Sequence, residues 1–312
     1  MARRPGARSL LRPPAAAPAL LLARDYAPEE LARMLASGSV MHLRRGAYLR
    51  VQPDEAPADL ALAHLVATHH LIRTEHCFSH HSAALLHGLA LSRTDFRPSL
   101  YQATPPHGAG SSPVTRHTPL PPVEDRATVA GLPATTLGRT VWDCLTSMKA
   151  PDALVVADAA LSAGLTVDEL ASRARRGGRG HARALATLRY ADDGAESAPE
   201  SICRYRLLRA GFPVPTTQVR VPTRLGVFWG DLGWPEWKVL VEYDGRIKYD
   251  ARPAETFMAE KRRHDALVEE GWGVTHVTND DLRVPGAFES RMRQALPPAA
   301  TLGMRPRREL RW

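Results

Sequence analysis

Three carboxylates in the last third of the chain have the types and spacing of a metal-binding set. Asp231 lies near the end of one strand-like run, and Glu242 and Asp244 lie on the next. Side chains alternate across a strand, so Glu242 and Asp244 share one face and a neighbouring strand can bring Asp231 beside them. Converging carboxylates repel one another unless a cation joins them, and hard oxygen ligands favour Mg²⁺ or Mn²⁺. Such a metal polarises a phosphodiester and activates a bound water, so the predicted chemistry is hydrolysis of a nucleic-acid backbone.

The elements that must position these carboxylates begin at a capping box of Ser197 and Glu200, with Pro199 inside the first turn. This helix should run to Ala210 and end at Gly211. The sequence then predicts strands at 217–221, 226–232 and 237–243, a helix at about 254–270, a strand at 273–278 and a last helix at 280–295. The predicted order is therefore helix, three strands, helix, strand.

This order is that of the common core of the PD-(D/E)XK nuclease superfamily. The stretches DLGWPEWKVLVEYDGRIKY at 231–249 and EKRRHDALVEEGWGVTHVT at 260–278 resemble the Vsr-like (very-short-patch-repair) endonuclease domain. The resemblance implies a metal-dependent endonuclease in which Asp231 and Glu242 bind the metal. It also implies an accessory acidic role for Glu200, whereas the capping box equally allows Glu200 a capping role alone.

The lysine that the superfamily usually carries on this strand is missing, because Asp244 stands in its place. Lys248, four residues later, and Lys261, on the following helix, are the predicted replacements that would contact the scissile phosphate or orient water. His264 and Asp265 can share the face of Lys261, and surface ion pairing is the alternative role for these residues. The predicted catalytic set comprises Asp231, Glu242, Asp244, Lys248, Lys261 and Glu200.

The net charge of +8 is concentrated in three arginine-rich segments at 1–24, 171–190 and 303–312. Such arms give nucleic-acid binders sequence-independent phosphate contacts, and solvated tails are the alternative. No apolar run reaches the roughly 18 residues of a membrane span, and an Arg-Pro-Pro sequence at 12–14 interrupts the stretch that a signal peptide would need. Three scattered cysteines without CxxC spacing favour a reducing cytoplasm.

Residues 26–51 predict a short helix that begins at Pro28 and ends before Gly38, followed by a hairpin with strands at 40–43 and 47–51. The wording LARMLASGSVMHLRRGAYLRV resembles the end of the winged helix-turn-helix of AbiEi-type antitoxins from toxin–antitoxin systems. The resemblance implies that this segment binds DNA. The predicted DNA contacts are Arg44, Arg45 and Arg50 of the hairpin and Arg246 of the C-terminal domain.

The middle of the chain offers weaker signals. Residues 59–91 have a helical pattern and hold seven histidines. We expect packing and surface roles for them, with a metal site as the alternative, because no Cys or acidic partner has a recognised spacing. Two amphipathic helices are predicted within 132–148 and 151–164, with a structural ion pair between Arg139 and Asp143 at i, i+4.

The predicted fold class is α/β with several domains: mostly helical N-terminal and middle regions with a small winged-helix-like unit, and a C-terminal αβββαβ domain of the restriction-endonuclease type. The predicted domains are a basic disordered arm at 1–24, a winged-helix-like domain of the antitoxin type at 25–100, a mixed helical middle domain with a Pro/Gly-rich linker at 101–190, the nuclease domain at 197–296 and a basic tail at 297–312.

These features predict a cytoplasmic DNA endonuclease that uses Mg²⁺ or Mn²⁺, in defence or toxin–antitoxin biology. The predicted partners are DNA and a cognate toxin or antitoxin protein, with no membrane association. A non-catalytic DNA-binding transcriptional regulator or antitoxin, with a degenerate nuclease fold, is the main alternative. A module whose arginine-rich segments bind RNA or a protein is the third possibility.

Overall fold

The computed structural model describes residues 18–51, 57–94, 97–105, 113–174, 178–245 and 253–311, with the backbone alone for 253–257. Arg246, Lys248 and most of the predicted basic arm lie outside these residues. The chain divides into two compact units, an N-terminal unit that ends at Ser147 and a C-terminal unit that begins at Met148. Both units contain helices and strands, so the chain is a mixed α/β protein, as the sequence predicted.

The described residues of the N-terminal unit form four α-helices and eight strands. The helices are α1 (Pro28–Ala36), α2 (Pro57–Leu71), α3 (His80–Leu86) and α4 (Leu137–Ser147). The strands are β1 (Leu20–Leu22), β2 (Val40–Arg44), β3 (Ala47–Arg50), β4 (His76–Phe78), β5 (Ser99–Gln102), β6 (Thr115–His117), β7 (Arg126–Val129) and β8 (Leu132–Thr135). They build a three-stranded sheet in the order β1-β3-β2 and a five-stranded sheet in the order β6-β5-β4-β8-β7.

The helix and hairpin predicted near the N-terminus are confirmed by α1, β2 and β3. Gly38 follows α1 with a φ of 69° and Gly46 makes the hairpin turn with a φ of 85°, values that favour glycine. Strand β1, which the sequence assigned to the disordered arm, instead pairs antiparallel with β3. Its Leu22 lies in one buried cluster with Leu49 of β3 and Ala63 of α2, so apolar packing holds this strand in the sheet.

The five-stranded sheet corrects the prediction of mostly helical N-terminal and middle regions. Its strands are only three or four residues long, too short for an alternating pattern to identify them. Strand β4 is buried at every position, so its segment shows no alternation at all. The predicted domain boundary between 100 and 101 falls inside β5, which pairs with both β4 and β6.

The C-terminal unit contains eight described α-helices and one four-stranded sheet. The helices are α5 (Ala150–Ser162), α6 (Val167–Ala171), α7 (His181–Leu188), α8 (Ala198–Ala210), α9 (Pro253–Glu269), α10 (Asn279–Arg283), α11 (Ala287–Ala295) and α12 (Pro298–Thr301). The strands are β9 (Thr216–Thr223), β10 (Gly226–Trp234), β11 (Val239–Tyr243) and β12 (Gly273–Val277), in the sheet order β12-β11-β10-β9. From α8 to β12 the chain therefore runs helix, three strands, helix, strand. Among the described helices, none has the length and apolarity needed to cross a bilayer.

The two faces of this sheet pack against different helices. Strands β10 and β11 are antiparallel, whereas β11 and β12 are parallel. Val239 and Val241 lie in one buried cluster with Leu207 of α8, while Leu240 lies in another with Leu267 of α9. Successive residues of β11 thus face α8 and α9 alternately, as pleating requires.

The described part of the segment predicted as a basic tail, 297–311, is packed within the C-terminal unit. It contains α12 and a short 3₁₀ helix, and Leu310 is buried. Tyr205 Oη donates to the carbonyl oxygen of Leu310 at 2.8 Å, and Arg307 donates to the carbonyl oxygen of Leu208 at 2.5 Å. The arginines near the C-terminus therefore include one that satisfies a helical carbonyl.

A buried ion pair joins α5 to α8 in the C-terminal unit. Arg204 lies 2.6 Å from Asp158 Oδ1, and their side chains are 2% and 0% exposed. Ser201 Oγ donates to Asp158 Oδ2 at 2.7 Å, the backbone N–H of Asp192 donates to Oδ1 at 2.9 Å, and Arg204 also donates to the carbonyl of Tyr190. Both oxygens of Asp158 and both terminal nitrogens of Arg204 therefore have partners, while Nε of Arg204 is buried without one among the described residues.

Breaking this pair should destabilise the C-terminal unit strongly. We expect Asp158→Ala to lower the free energy of unfolding by about 3–5 kcal/mol, because it leaves the Arg204 guanidinium buried without its counter-ion. Urea denaturation followed by circular dichroism measures the change. Asp280→Ala is the matched control, since its pair with Arg283 is exposed and should be worth less than about 0.5 kcal/mol. Equal effects of the two substitutions would contradict the structural role of Asp158.

Candidate functional site

The candidate site lies where the two central strands of the C-terminal sheet separate. Strand β10 pairs with β11 over only three residue pairs, ending at Leu232↔Val241, whereas β11 continues along β12 to Tyr243↔Val277. Asp231 is the next β10 residue beyond the β10–β11 ladder, and its Oδ2 accepts a hydrogen bond from the backbone N–H of Tyr243 at 2.8 Å. A side-chain oxygen thus takes the place that a backbone carbonyl would have in a continuous ladder.

The carboxyl group of Asp231 has a strongly perturbed ionisation. Burial raises the pKa of Asp231 to about 7, and the negative charges of Glu200 and Glu242 contribute to the rise. The backbone N–H of Tyr243 and the guanidinium of Arg263 act in the opposite direction on this pKa, because both stabilise the charged form. A carboxyl group with so high a pKa, beside other acids in a gap between strands, is typical of a functional site.

Glu242 is only 7% exposed and lies on the α9 face of β11, two residues after Leu240. One terminal nitrogen of Arg263, on α9, donates to Glu242 Oε1 at 2.6 Å and to the carbonyl oxygen of Trp229 at 2.9 Å. Burial raises the pKa of Glu242, and the positive charge of Arg263 and the nearby His276 only partly offset that rise. Asp231, which is partly buried, and Glu242, which is buried, are therefore two acids that share one gap in the sheet.

Asp244 differs from this pair in exposure and in contacts. Its side chain is 54% exposed, and its Oδ2 lies 3.1 Å from Nδ1 of His276. Strand β11 ends one residue earlier, so the alternation that would place Asp244 beside Glu242 does not extend to it. No group of three or more His, Cys, Asp and Glu residues is arranged to hold a metal within the part of the chain that the structure describes. The predicted three-carboxylate cluster is thus a pair, Asp231 and Glu242, with the exposed Asp244 outside it.

Glu200 has the capping role that the sequence allowed. Its Oε1 accepts from Ser197 Oγ at 2.7 Å and its Oε2 accepts from the backbone N–H of Glu196 at 2.8 Å. Both oxygens therefore serve the start of α8. Its charge nevertheless acts on the candidate site, because it is the largest electrostatic contribution to the raised pKa of Asp231.

The cation next to Glu242 is an arginine that the sequence did not single out. Lys261 is exposed on α9, and Lys248 lies outside the described residues. Arg263, two residues after Lys261, instead contacts Glu242. The helical periodicity of α9 could have identified it, because Ala266 and Leu267, three and four residues later on the same face, are buried. His276 could not be identified from the sequence, because its position beside Glu242 depends on the parallel pairing of β11 with β12.

The hairpin predicted to contact DNA presents two of its three arginines to solvent. Arg45 and Arg50 are exposed. Arg44 is half-buried and donates to Thr68 Oγ1 of α2 at 2.5 Å, so this arginine fixes the hairpin to the helix below it. Arg246 lies outside the described residues. Between β1 and β2 the chain has one α-helix, α1, and a single 3₁₀ turn at Ala23–Asp25. A helix-turn-helix needs two helices, so this segment alone does not form one.

The ion pair predicted in the middle region is confirmed. Arg139 donates to Asp143 Oδ1 at 2.8 Å, and it also contacts Asp125 at 3.0 Å and Tyr101 Oη at 2.9 Å. Five of the seven described histidines at 59–91 have ring hydrogen bonds in the packed structure, in line with their predicted packing roles. Examples are His76 with Thr74 O, His81 with Arg97 O and His87 with Thr135 O.

Comparison with known proteins places the chain beside uncharacterized mycobacterial proteins. No protein-family model matches it. It is 33% identical over 180 residues to the uncharacterized proteins MT2308 and Rv2248 of Mycobacterium tuberculosis, from strains CDC 1551 / Oshkosh and ATCC 25618 / H37Rv. The match covers 56% of this chain and 66% of each relative, just under two thirds of their length. The crystal structure of the RV2827C protein from Mycobacterium tuberculosis aligns over 59% of this chain and 75% of its own, with 17% identity and a TM-score of 0.35. That score is too low to support any conclusion.

The raised pKa of Asp231 predicts a characteristic pH dependence of stability. Its pKa of about 7 exceeds the 3.8 of the free side chain, so between these values the folded state holds a proton that the unfolded state has lost, and stability falls as pH rises. Asp231→Asn keeps an acceptor for Tyr243 and removes the charge. We expect this variant to be more stable than wild type by on the order of 1–3 kcal/mol at pH 8, and equally stable near pH 4.

Chemical denaturation from pH 4 to 8 in a chelating buffer tests this prediction. Asp265→Asn, an exposed position on α9, is the control and should leave the pH profile unchanged. A profile for Asp231→Asn that runs parallel to wild type would show that Asp231 ionises as an ordinary surface acid.

Proposed function

We propose that the C-terminal unit is a divalent-metal-dependent DNA endonuclease of the PD-(D/E)XK type, most similar to the Vsr-like domains. The proposal rests on one observation above all: two acids, the partly buried Asp231 and the buried Glu242, share the gap where β10 and β11 separate, and desolvation raises the pKa of both. Groups of like charge in such surroundings are stabilised in their ionised form by a shared cation.

The donor atoms fit Mg²⁺ or Mn²⁺. Both ions prefer oxygen ligands, and Mg²⁺ is usually held by one or two carboxylates together with water and substrate phosphates. A pair formed by Asp231 and Glu242 is therefore sufficient, and a closed three-ligand cage is not required. The exposed Asp244 lies at the edge of this pair, where its charge still acts on Glu242.

The chemistry divides between the metal and the residues around it. A metal bound by Asp231 and Glu242 would polarise the phosphodiester and lower the pKa of a bound water. Arg263 supplies a guanidinium beside the same acids, and guanidinium groups bind phosphate oxygens in a planar, bidentate manner. The Nδ1–H of His276 faces Asp244 Oδ2, an arrangement that leaves Nε2 of His276 as a proton acceptor.

DNA is the proposed substrate, because the chain is basic and its hairpin exposes Arg45 and Arg50. The likeness of the N-terminal segment to AbiEi-type antitoxins supports a role in defence or toxin–antitoxin biology. A cognate toxin or antitoxin is accordingly the proposed protein partner, and the nuclease would work in the cytoplasm.

Plasmid cleavage tests the endonuclease directly. We expect purified protein to nick or linearise DNA with Mg²⁺ or Mn²⁺ and to stop when the metal is chelated. Asp231→Asn and Glu242→Gln should each reduce the rate at least about 100-fold, because each removes a carboxylate ligand of the metal. Glu236→Gln, an exposed acid in the turn before β11, is the control and should cleave at the wild-type rate. Cleavage that persists in both site variants would show that a contaminant or another site is responsible.

A non-catalytic DNA-binding regulator or antitoxin is the second candidate. It is favoured by the ion pair between Glu242 and Arg263, which already neutralises one acid of the site, and by the acid that stands in the place of the usual strand lysine. This function predicts salt-dependent binding to the protein's own promoter without hydrolysis. The endonuclease assay above separates the two candidates.

The hairpin should contribute phosphate contacts under either function. We expect Arg45→Ala and Arg50→Ala each to weaken DNA binding about equally for all sequences and to reduce the slope of log K against log salt by roughly 1. Fluorescence anisotropy across a salt series measures both quantities. Arg50→Lys keeps the charge and serves as the control. An unchanged slope in both alanine variants would remove the hairpin from the DNA interface.

A further inference from the structure

Arg263 already holds the acid that the metal would need. It reaches from α9 to the gap between the separating strands, where one of its terminal nitrogens donates to both Glu242 Oε1 and the carbonyl oxygen of Trp229. Its guanidinium carbon also lies 5.8 Å from the centre of the Phe228 ring. These three contacts fix the arginine over β10 and β11 with its positive charge directed at a buried acid.

A divalent ion and this guanidinium cannot both occupy their best positions at Glu242. A metal takes lone pairs of the same carboxylate to which Arg263 donates, and two cations in contact repel each other. The side chain of Arg263 is 35% exposed, so it has room to move toward solvent. Asp231 differs from Glu242 in its hydrogen-bond donor. It accepts from the neutral backbone N–H of Tyr243, whereas Glu242 accepts from the charged guanidinium of Arg263.

From these contacts we propose that Arg263 is the counter-ion of the metal-free site and competes with the divalent metal for Glu242. This inference rests on the proposed function, since it concerns the same metal. Asp231 and Glu242 would together hold the metal, and Arg263 would give up its contact with Glu242. The released guanidinium then stays near the metal, where the phosphate of bound DNA is the next anion available to it.

The exchange makes metal affinity depend on a residue that is not a ligand. Breaking the contact between Arg263 and Glu242 costs free energy, which weakens the net binding of the metal. Removing the arginine should therefore tighten metal binding while destabilising the metal-free protein, because Glu242 then remains buried without a counter-ion. A residue with a purely structural role would give the second effect without the first.

Metal binding by the full chain tests the proposal without any activity measurement. Free Mn²⁺ is titrated by electron paramagnetic resonance with wild type, Arg263→Gln and Arg262→Gln, the last being an exposed neighbour on α9. We expect Arg263→Gln to bind Mn²⁺ about 10-fold more tightly than wild type, a size typical of the coupling between two binding interactions in one protein. Its melting temperature should be below wild type without metal and should rise more when Mn²⁺ is added. Arg262→Gln should match wild type in both measurements.

Arg263→Lys covers the case in which the glutamine variant does not fold. A lysine retains the charge as a single point donor, and it lacks the planar group that contacts Glu242, Trp229 and Phe228 together. We expect its Mn²⁺ affinity to lie between those of wild type and the glutamine variant. Equal or weaker Mn²⁺ binding in the Arg263 variants would overturn the competition while leaving the proposed metal site intact. Failure of wild type and every variant to bind Mn²⁺ would overturn the competition and the proposed metal-dependent function together.

Discussion

The separation of β10 from β11 at Asp231 is the constraint on which the rest of the candidate site depends. In a continuous antiparallel ladder the backbone groups of the two strands would satisfy one another. Here the carboxylate of Asp231 accepts from Tyr243 N–H, and Arg263 donates to the carbonyl of Trp229. Side chains thus replace backbone partners, which opens space between the strands without leaving these polar groups unsatisfied.

An open gap of this kind has to be held by its surroundings. Beneath the sheet, α8 and α11 share an apolar cluster with the strands, and Arg206 of α8 forms a two-pronged pair with Glu289 of α11 at 2.5 and 2.8 Å. The buried pair of Asp158 and Arg204 fixes the other side of α8 to α5. The site is therefore carried on rigid elements that are anchored on both sides, which is the condition for keeping two acids close despite their repulsion.

The sequence predicted the parts of this arrangement that are local. The strand patterns predicted Asp231 and Glu242 on neighbouring strands, and the structure has them on β10 and β11. Asp244 was misplaced because the strand ends before it, and strand ends are set by tertiary packing. Arg263 was not predicted, because its contact with Glu242 depends on the distance between α9 and the strands. The five-stranded sheet of the N-terminal unit was missed because β4 and β6 are three residues long, and so short a strand carries no periodicity.

In the proposed nuclease, an acid stands at position 244, where the PD-(D/E)XK superfamily usually has a lysine, and this has a consequence for the chemistry. A lysine can serve both as a point charge on phosphate and as a group that exchanges protons, whereas an arginine keeps its charge and is restricted to the first of these roles. Arg263 keeps its charge whether it contacts Glu242 or a phosphate, so in the proposed nuclease proton transfer would fall to another side chain. Asp244 provides for this, because its Oδ2 faces Nδ1 of His276, and His276 pairs directly with Glu242 across β11 and β12. Under that proposal Arg263 and the pair of Asp244 and His276 would divide between them what one lysine does, so an acid at position 244 is compatible with the proposed catalysis.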